Sequence, residues 1–126
     1  MVANEVLVID DDDMVRRALV RGLGRKHVVV DLRDAESALD LIESGRRFDA
    51  ILCDMNLEGM SGRDFFFNLE AMAEDQARRL VILSGDPTTL DPDLFGDLPP
   101  RFLEKPASMV KITAVLAELS LVARAA

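Results

Sequence analysis

The sequence predicts a doubly wound α/β domain, in which a parallel sheet carries helices on both faces. Short apolar runs alternate with longer segments of helical period along the 126 residues, as right-handed strand–helix–strand units require. The apolar runs are continuous rather than alternating in polarity, which is expected for parallel strands covered on both sides. A chain of this length is expected to form a single domain, residues 1–126, with a sizeable buried core.

Five strands are predicted, and regular helices follow the first three and the last. The strands are EVLVI (5–9), HVVVD (27–31), DAILC (49–53), LVIL (80–83) and RFLE (101–104). Apolar residues at helical spacing mark the four helices: Val15, Ala18, Leu19 and Leu23; Ala35, Ala38, Leu39 and Ile42; Phe65, Phe66, Leu69 and Met72; Met109, Ile112, Leu116 and Leu119. Their candidate N-caps are Asp12 or Asp13, Asp34, Ser61 and Ser108.

The fourth connection, residues 85–100, differs from the others. Its sequence, GDPTTLDPDLFGDLPP, has no clear apolar stripe. Pro87 and Pro92 each remove a backbone donor and restrict the preceding residue. The segment therefore predicts a short or irregular helix.

Composition excludes several classes of function. The net charge of −8, from 23 acidic and 15 basic residues, argues against direct nucleic-acid binding, because the excess of acidic groups opposes the approach of a phosphate backbone. Basic pairs such as Arg16 and Arg17 are scattered and are expected to lie on solvated faces. The single cysteine, Cys53, excludes an internal disulfide and offers no metal-ligand pattern. We find no basic N-terminal segment leading into an apolar run, and no apolar run of the ~18 residues that span a bilayer. We expect a cytoplasmic domain without membrane insertion.

Polar residues collect where the predicted strands end. Asp10 and Asp11 follow the first strand, Asp54 the third, Ser84 the fourth and Lys105 the fifth. In an open parallel sheet these ends share one edge, where ligands bind. Carboxylates without nearby His or Cys suit Mg²⁺. A carboxylate could then attack phosphorus while the lysine holds the oxygens on which charge develops. Taken alone, Asp10 and Asp11 would more readily be interpreted as solvated loop acids, and it is Asp54 and Lys105 at matching strand ends that favour a functional site.

The motifs VLVIDDDDMVRRAL, FDAILCDMNLEGMSG, VILSGD and FLEKP, in this order and spacing, resemble the CheY-like receiver domains of two-component signalling. The resemblance covers essentially the whole chain. It implies a flavodoxin-like five-stranded sheet in the order 2-1-3-4-5. It also implies a cis peptide bond between Lys105 and Pro106.

The resemblance assigns roles to individual residues. Asp54 would be the phosphoacceptor, with Asp11 binding Mg²⁺ directly, Asp10 binding it through water and Asn56 contributing its backbone carbonyl. Ser84 and Lys105 would contact the phosphoryl group, whereas Asp12 and Asp13 would begin the first helix. Ser84 and Phe102 would form the conformational switch, and Asn56 and Asp86 would tune autodephosphorylation.

The implied protein is a signalling switch rather than a metabolic enzyme. Its phosphodonor would be a histidine kinase or a histidine phosphotransfer protein, and RRLVILSGDP with FLEKP resembles the receivers of hybrid sensor kinases. Glu58 stands where the family usually has Pro, Ala107 where Phe is frequent, and DLPPR replaces the usual Gly-Ala pair. An alternative is therefore a degenerate receiver that acts as a phosphorylation-independent interaction module.

A haloacid-dehalogenase-type phosphatase is a further alternative. Asp10 and Asp12 would supply its D-x-D pair, beside Ser84 and Lys105. That family needs a further acidic motif after the lysine, and Glu118 is the only acid beyond Lys105. The residue inventory argues against it.

Overall fold

The computed structural model describes residues 5–125, with side chains described through residue 120. Its sheet has five parallel strands in the order β2-β1-β3-β4-β5, and this confirms the predicted fold class. The strands are β1 (Glu5–Ile9), β2 (Val28–Leu32), β3 (Ala50–Asp54), β4 (Leu80–Ser84) and β5 (Arg101–Glu104).

Five α-helices flank the sheet in the described part of the chain. They are α1 (Asp13–Leu23), α2 (Ala35–Glu43), α3 (Gly62–Met72), α4 (Glu74–Ala77) and α5 (Met109–Ala125). The sequence did not predict α4, because four residues are too few to show a helical period. Within residues 5–125, no helix combines the length and apolar character needed to cross a membrane.

Two hydrophobic layers sandwich the sheet. Successive side chains of each central strand point to opposite faces of the sheet. In β1, Val6 and Val8 lie in the layer with α1 and α5, whereas Leu7 and Ile9 lie in the layer with α2 and α3. The strands β1, β3 and β4 are buried on both faces, which explains their continuous apolar sequence. Two residues of the predicted helix stripes, Ala18 and Met72, are instead exposed.

Side-chain caps fix where the helices begin. The carboxylate of Asp12 accepts hydrogen bonds from the N–H groups of Met14 and Val15, so Asp12 is the N-cap and Asp13 is the first helical residue. The three other predicted caps accept comparable bonds: Asp34 from Ser37, Ser61 from Asp64 and Ser108 from Lys111. Each bond satisfies one of the N–H groups that a helix start leaves free.

The fourth connection contains two short 3₁₀ turns, Pro87–Thr89 and Pro92–Phe95. This confirms the prediction of a short or irregular helix. Phe95 anchors the segment: it is fully buried, and its ring lies 5.5 Å from that of Phe66 and 5.2 Å from that of Phe102. Arg63 and Arg78 donate hydrogen bonds to carbonyls of the same segment. The connection is irregular in shape but firmly attached to α3 and β5.

A buried glutamine ties α4 to the chain entering β3. Gln76 Oε1 accepts from the N–H of Phe48 at 2.9 Å, and Gln76 Nε2 donates to the carbonyl of Phe48 at 3.1 Å. The side-chain amide thus pairs with both main-chain polar groups of Phe48. Both groups would otherwise be buried without a partner.

Candidate functional site

Three carboxylates meet at the carboxyl edge of the sheet. Asp10 and Asp11 follow β1, and Asp54 ends the neighbouring strand β3. Each offers an oxygen atom within 4.8 Å of those of the other two. Asp10 is 2% exposed, and its N–H donates to the carbonyl of Leu32 in β2. The pairing of adjacent strands therefore determines how close these like charges lie.

Lys105 enters this cluster from β5. Its N–H donates to the carbonyl of Ser84 at 2.8 Å, which continues the pairing of β4 with β5. Its Nζ lies 3.0 Å from Asp10 Oδ2 and 3.4 Å from Asp54 Oδ2. The peptide bond to Pro106 is cis. One ammonium group is thus shared between two carboxylates.

Burial and charge act in opposite directions on these groups. Burial raises the pKa of Asp54, with a further contribution from Asp10, and Lys105 only partly offsets the rise. Burial alone would lower the pKa of Lys105, but hydrogen bonds and charges from Asp10 and Asp54 raise it on balance. The lysine therefore stays cationic near neutral pH, while Asp54 is the incompletely compensated carboxylate.

The loop after β3 closes over the acidic cluster. The N–H of Glu58 donates to Asp11 Oδ2 at 3.1 Å, and the N–H of Asn56 approaches Asp54 Oδ1 at 3.4 Å. A Cβ atom on Gly62 would lie 2.8 Å from the carbonyl oxygen of Asp54. This separation is too short for a real Cβ atom, so glycine is the residue that fits here without a shift of the main chain. Proline, the usual residue at this position in the family that the sequence resembles, has no main-chain N–H, so Glu58 allows a hydrogen bond to Asp11 that proline could not donate.

The hydroxyl of Ser84 makes its described contacts outside the acidic cluster. Ser84 is fully buried, and its Oγ lies 2.8 Å from Thr89 Oγ1. The same Oγ lies 3.1 Å from the main-chain nitrogen of Asp86 and 3.3 Å from its main-chain carbonyl oxygen. All of these partners lie in the fourth connection. The main chain of Ser84 is thus hydrogen-bonded to that of Lys105, whereas its hydroxyl makes no described hydrogen bond to the three carboxylates.

Of the two other predicted residues near Ser84, Asp86 lies within the fourth connection and Phe102 packs against it. Asp86 Oδ1 accepts from both the N–H and the hydroxyl of Thr88, and these hydrogen bonds lower the pKa of Asp86. Phe102 is half-buried, and its ring packs edge-on against Phe95. Neither residue touches the three carboxylates through a described hydrogen bond or ion pair.

Residues 6–117 match the family model of the response regulator receiver domain. The chain belongs to this family. It is a receiver domain of two-component signalling, as the sequence motifs had predicted. Solved structures of receiver domains share its fold, including that of an HD domain-containing protein from Pseudomonas fluorescens Pf-5 (TM-score 0.82, 20% identity, 99% of this chain and 100% of that chain). The chemotaxis response regulator CheY4 of Vibrio cholerae is also similar (TM-score 0.78, 21% identity, 94% and 99%).

Among curated proteins, the receiver domain is similar to the sensory/regulatory protein RpfC of Xanthomonas campestris pv. campestris, in strains ATCC 33913 and 8004. Identity is 32% over 123 residues, an alignment that covers 94% of this chain but 17% of RpfC. The chain thus spans a small part of the length of these curated relatives.

Sequence reasoning missed one structural residue of the receiver site. Arg16, expected on a solvated face, is buried and donates to the carbonyl of Asp10 at 2.9 Å. It also pairs with Asp13 and Asp31. Its spacing from Asp13 is that of an ordinary surface pair on a helix, so no sequence pattern indicated that the guanidinium would contact the main chain of the site.

The cluster in the receiver domain suits a hard divalent cation. Its three candidate ligands are carboxylates, and no histidine or cysteine accompanies them in the cluster. One ammonium group leaves this set of charges incompletely neutralised. Oxygen ligands and excess negative charge are what Mg²⁺ binding requires.

Proposed function

We propose that Asp54 accepts a phosphoryl group from a histidine kinase or a histidine phosphotransfer protein, in a reaction that needs Mg²⁺. The observation that carries the proposal is the position of Lys105 Nζ, which contacts both Asp10 and Asp54 at the carboxyl edge of the sheet. A cation fixed beside a buried carboxylate is suited to balance the charge of an attached phosphoryl group.

In the proposed transfer, an oxygen of Asp54 forms a bond to phosphorus. The bond from phosphorus to the donor histidine nitrogen breaks, and its electron pair leaves with the imidazole. Asp10, Asp11, Asp54 and the backbone carbonyl of Asn56 would hold Mg²⁺, which when bound neutralises charge on phosphoryl oxygens. Lys105 would pair with one of those oxygens, and the raised pKa of the lysine keeps it charged for this role.

The signalling response would pass through Ser84 and Phe102. Ser84 would donate to a phosphoryl oxygen, and Phe102 would repack in the space that opens. The packing of Phe102 on Phe95 supports this proposal, because it joins β5 to the fourth connection. Phe102 has no phenolic hydroxyl, so only its packing could report the change.

Autodephosphorylation would end the signal within minutes rather than hours. Asn56 is exposed beside Asp54, where its amide could orient an attacking water. Asp86 would tune the rate more weakly, since its carboxylate also caps the turn at Thr88. A phospho-Asp54 half-life of many hours in Mg²⁺ would contradict this part of the proposal.

The proposed setting is the cytoplasm, as a receiver of the hybrid sensor kinase type. The 32% identity to a segment of a sensory/regulatory protein supports this setting. The motifs shared with hybrid-kinase receivers point the same way.

The test is intact mass spectrometry after incubation with acetyl phosphate, with and without Mg²⁺. We expect a gain of one phosphoryl group that requires Mg²⁺ and disappears in Asp54→Asn. Asp12→Asn is the matched control, because asparagine also caps a helix and Asp12 lies outside the three-carboxylate cluster. A gain that persists in Asp54→Asn would assign the phosphoacceptor elsewhere.

A second candidate is a phosphorylation-independent interaction module. The fourth connection favours it, because two 3₁₀ turns stand on the surface where a regular helix follows the other strands. No mass gain in the wild type with any small phosphodonor would favour this candidate over phosphoryl transfer.

A further inference from the structure

The buried hydroxyl of Ser84 is fully engaged by its neighbours in the 3₁₀ turn Pro87–Thr89 and the residue before it. It can accept from the hydroxyl of Thr89 and the N–H of Asp86, and can donate to the carbonyl of Asp86. A serine hydroxyl has one proton and two acceptor positions. Because Ser84 is 0% exposed, water does not compete for them. The partners offered by the turn therefore determine where this hydroxyl points.

We propose that Thr89 is a positioning residue that holds the Ser84 hydroxyl away from Asp54 and thereby limits the rate of phosphorylation. This inference rests on the proposed function, since it concerns uptake of the phosphoryl group by Asp54. Thr89 acts through Ser84 and does not itself contact the reacting atoms.

The main chain of Ser84 is fixed, so its hydroxyl moves by side-chain rotation. The carbonyl of Ser84 accepts from the N–H of Lys105, and the preceding residue, Leu83, pairs with Asp54 across β3 and β4. Ser84 thus lies one residue beyond the partner of Asp54 on the adjacent strand. In the proposed switch, rotation about χ1 would carry the hydroxyl toward Asp54 and would break its contact with Thr89.

Thr89 can release Ser84 without losing its own hydrogen bond. Its Oγ1 lies 2.8 Å from Ser84 Oγ and also 2.8 Å from the carbonyl oxygen of Asp86. One hydroxyl proton serves one of these acceptors well at a time. The hydroxyl of Thr89 can therefore donate to the carbonyl of Asp86 when it no longer donates to Ser84, as expected of a contact that opens and closes repeatedly.

The test compares rates of phosphorylation by acetyl phosphate at saturating Mg²⁺. Thr89→Val removes the hydroxyl and keeps the side-chain shape, and we expect a roughly two- to tenfold faster rate, the range of one neutral hydrogen bond. Thr89→Ser keeps the hydroxyl and should retain the wild-type rate. Thr88→Val is the matched control: it removes a hydroxyl from the same turn that bonds only Asp86 Oδ1 among the described contacts.

Dependence on Ser84 separates positioning from a general loosening of the turn. In a Ser84→Ala background, Thr89→Val should no longer change the phosphorylation rate. The same acceleration with and without the Ser84 hydroxyl would overturn the proposal. An unchanged or slower rate for Thr89→Val alone, or equal acceleration by Thr88→Val, would also overturn it.

A double-mutant cycle measures the energy of the Ser84–Thr89 contact without phosphorylation. It compares the free energy of unfolding, from urea denaturation, of the wild type, Ser84→Ala, Thr89→Val and the double variant. We expect the two substitutions to be non-additive. Additive effects would contradict the Ser84–Thr89 contact and with it the proposal. Non-additivity in a wild-type protein that accepts no phosphoryl group would instead contradict the proposed function, and Thr89 would then have only a structural role.

Discussion

Lys105 pairs more closely with Asp10 than with the proposed phosphoacceptor. The Nζ atom lies 3.0 Å from Asp10 Oδ2, against 3.4 Å from Asp54 Oδ2. Asp10 is almost completely buried, so it depends most on a fixed counter-charge. The lysine is therefore divided between stabilising Asp10 and compensating Asp54, and the stability of the domain should respond to each change of charge in the cluster.

Asp54→Asn should raise the free energy of unfolding of the metal-free protein near neutral pH. Burial raises the pKa of Asp54 above its ordinary 3.8, with Lys105 only partly opposing the rise. Folding therefore favours the protonated form of Asp54. The contribution of Asp54 to the free energy of unfolding is fully present below its pKa in the unfolded chain, and it is lost as pH rises through its pKa in the folded protein. Urea denaturation in EDTA should give a small difference near pH ~3.5 and a larger one near pH ~7. A destabilised variant at neutral pH would contradict this prediction.

Asp34→Ala should show the opposite dependence on pH. Hydrogen bonds from Ser37 lower the pKa of Asp34. The contribution of Asp34 to the free energy of unfolding is therefore present above its pKa in the unfolded chain, and it is lost as pH falls through its pKa in the folded protein. We expect a loss of about 1 kcal/mol at neutral pH, the usual value for an N-cap. The same urea series measures it, and Asp34→Ser, which retains a capping side chain, should recover most of the loss.

Mg²⁺ should stabilise the folded domain through its acidic cluster. A ligand that binds only the folded state adds about 2.7 kcal/mol at a hundred times its Kd. We expect this rise in urea titrations of the wild type and its loss in Asp11→Ala. Asp12→Ser should keep the rise, because serine preserves the cap and Asp12 is outside the cluster. An equal rise in Asp11→Ala would place Mg²⁺ elsewhere.

Gln76→Ala should destabilise the domain by about 1–3 kcal/mol, the cost of leaving buried polar groups unsatisfied. The change removes both partners of the Phe48 main chain. Glu74→Gln, on the exposed side of α4, is the control and should change stability by less than about 0.5 kcal/mol. Chemical denaturation checks both, and similar values for the two variants would contradict the role given to Gln76.

Phe95→Ala should detach the fourth connection and cost about 3–5 kcal/mol, as large truncations in a core do. Phe95 is the buried anchor between Phe66 and Phe102. Limited proteolysis should then cut within residues 85–100, a region that stays protected in the wild type. Leu94→Ala, which shortens a neighbouring exposed side chain, should preserve both stability and protection. Protection of the Phe95→Ala variant would show that Arg63 and Arg78 suffice to hold the segment.

The sequence was informative where chemistry depends on strand order. Parallel strands end at one edge, so the positions of Asp10, Asp11, Asp54 and Lys105 after their strands indicated that these groups would meet. Their contacts in the structure agree with that expectation. The helix caps were also readable, because capping depends on residues a few positions apart.

Features set by side-chain rotation or by distant partners were not readable. The Ser84 hydroxyl has several possible partners, and only packing selects Thr89 and Asp86. Arg16 has the spacing of a surface ion pair, yet it folds against the carbonyl of Asp10. The helix α4 is fixed by the tertiary bonds of Gln76 rather than by any local period.

Cys53 gives the domain an intrinsic reporter of rare opening events. The thiol is completely buried in the central strand β3, and burial raises its pKa well above the ordinary value. Thiol reagents attack the thiolate form, so modification must await exposure of the middle of the sheet. Because the chain has a single cysteine, the rate at which a thiol reagent labels the native protein would report how often the sheet opens, without any engineered probe.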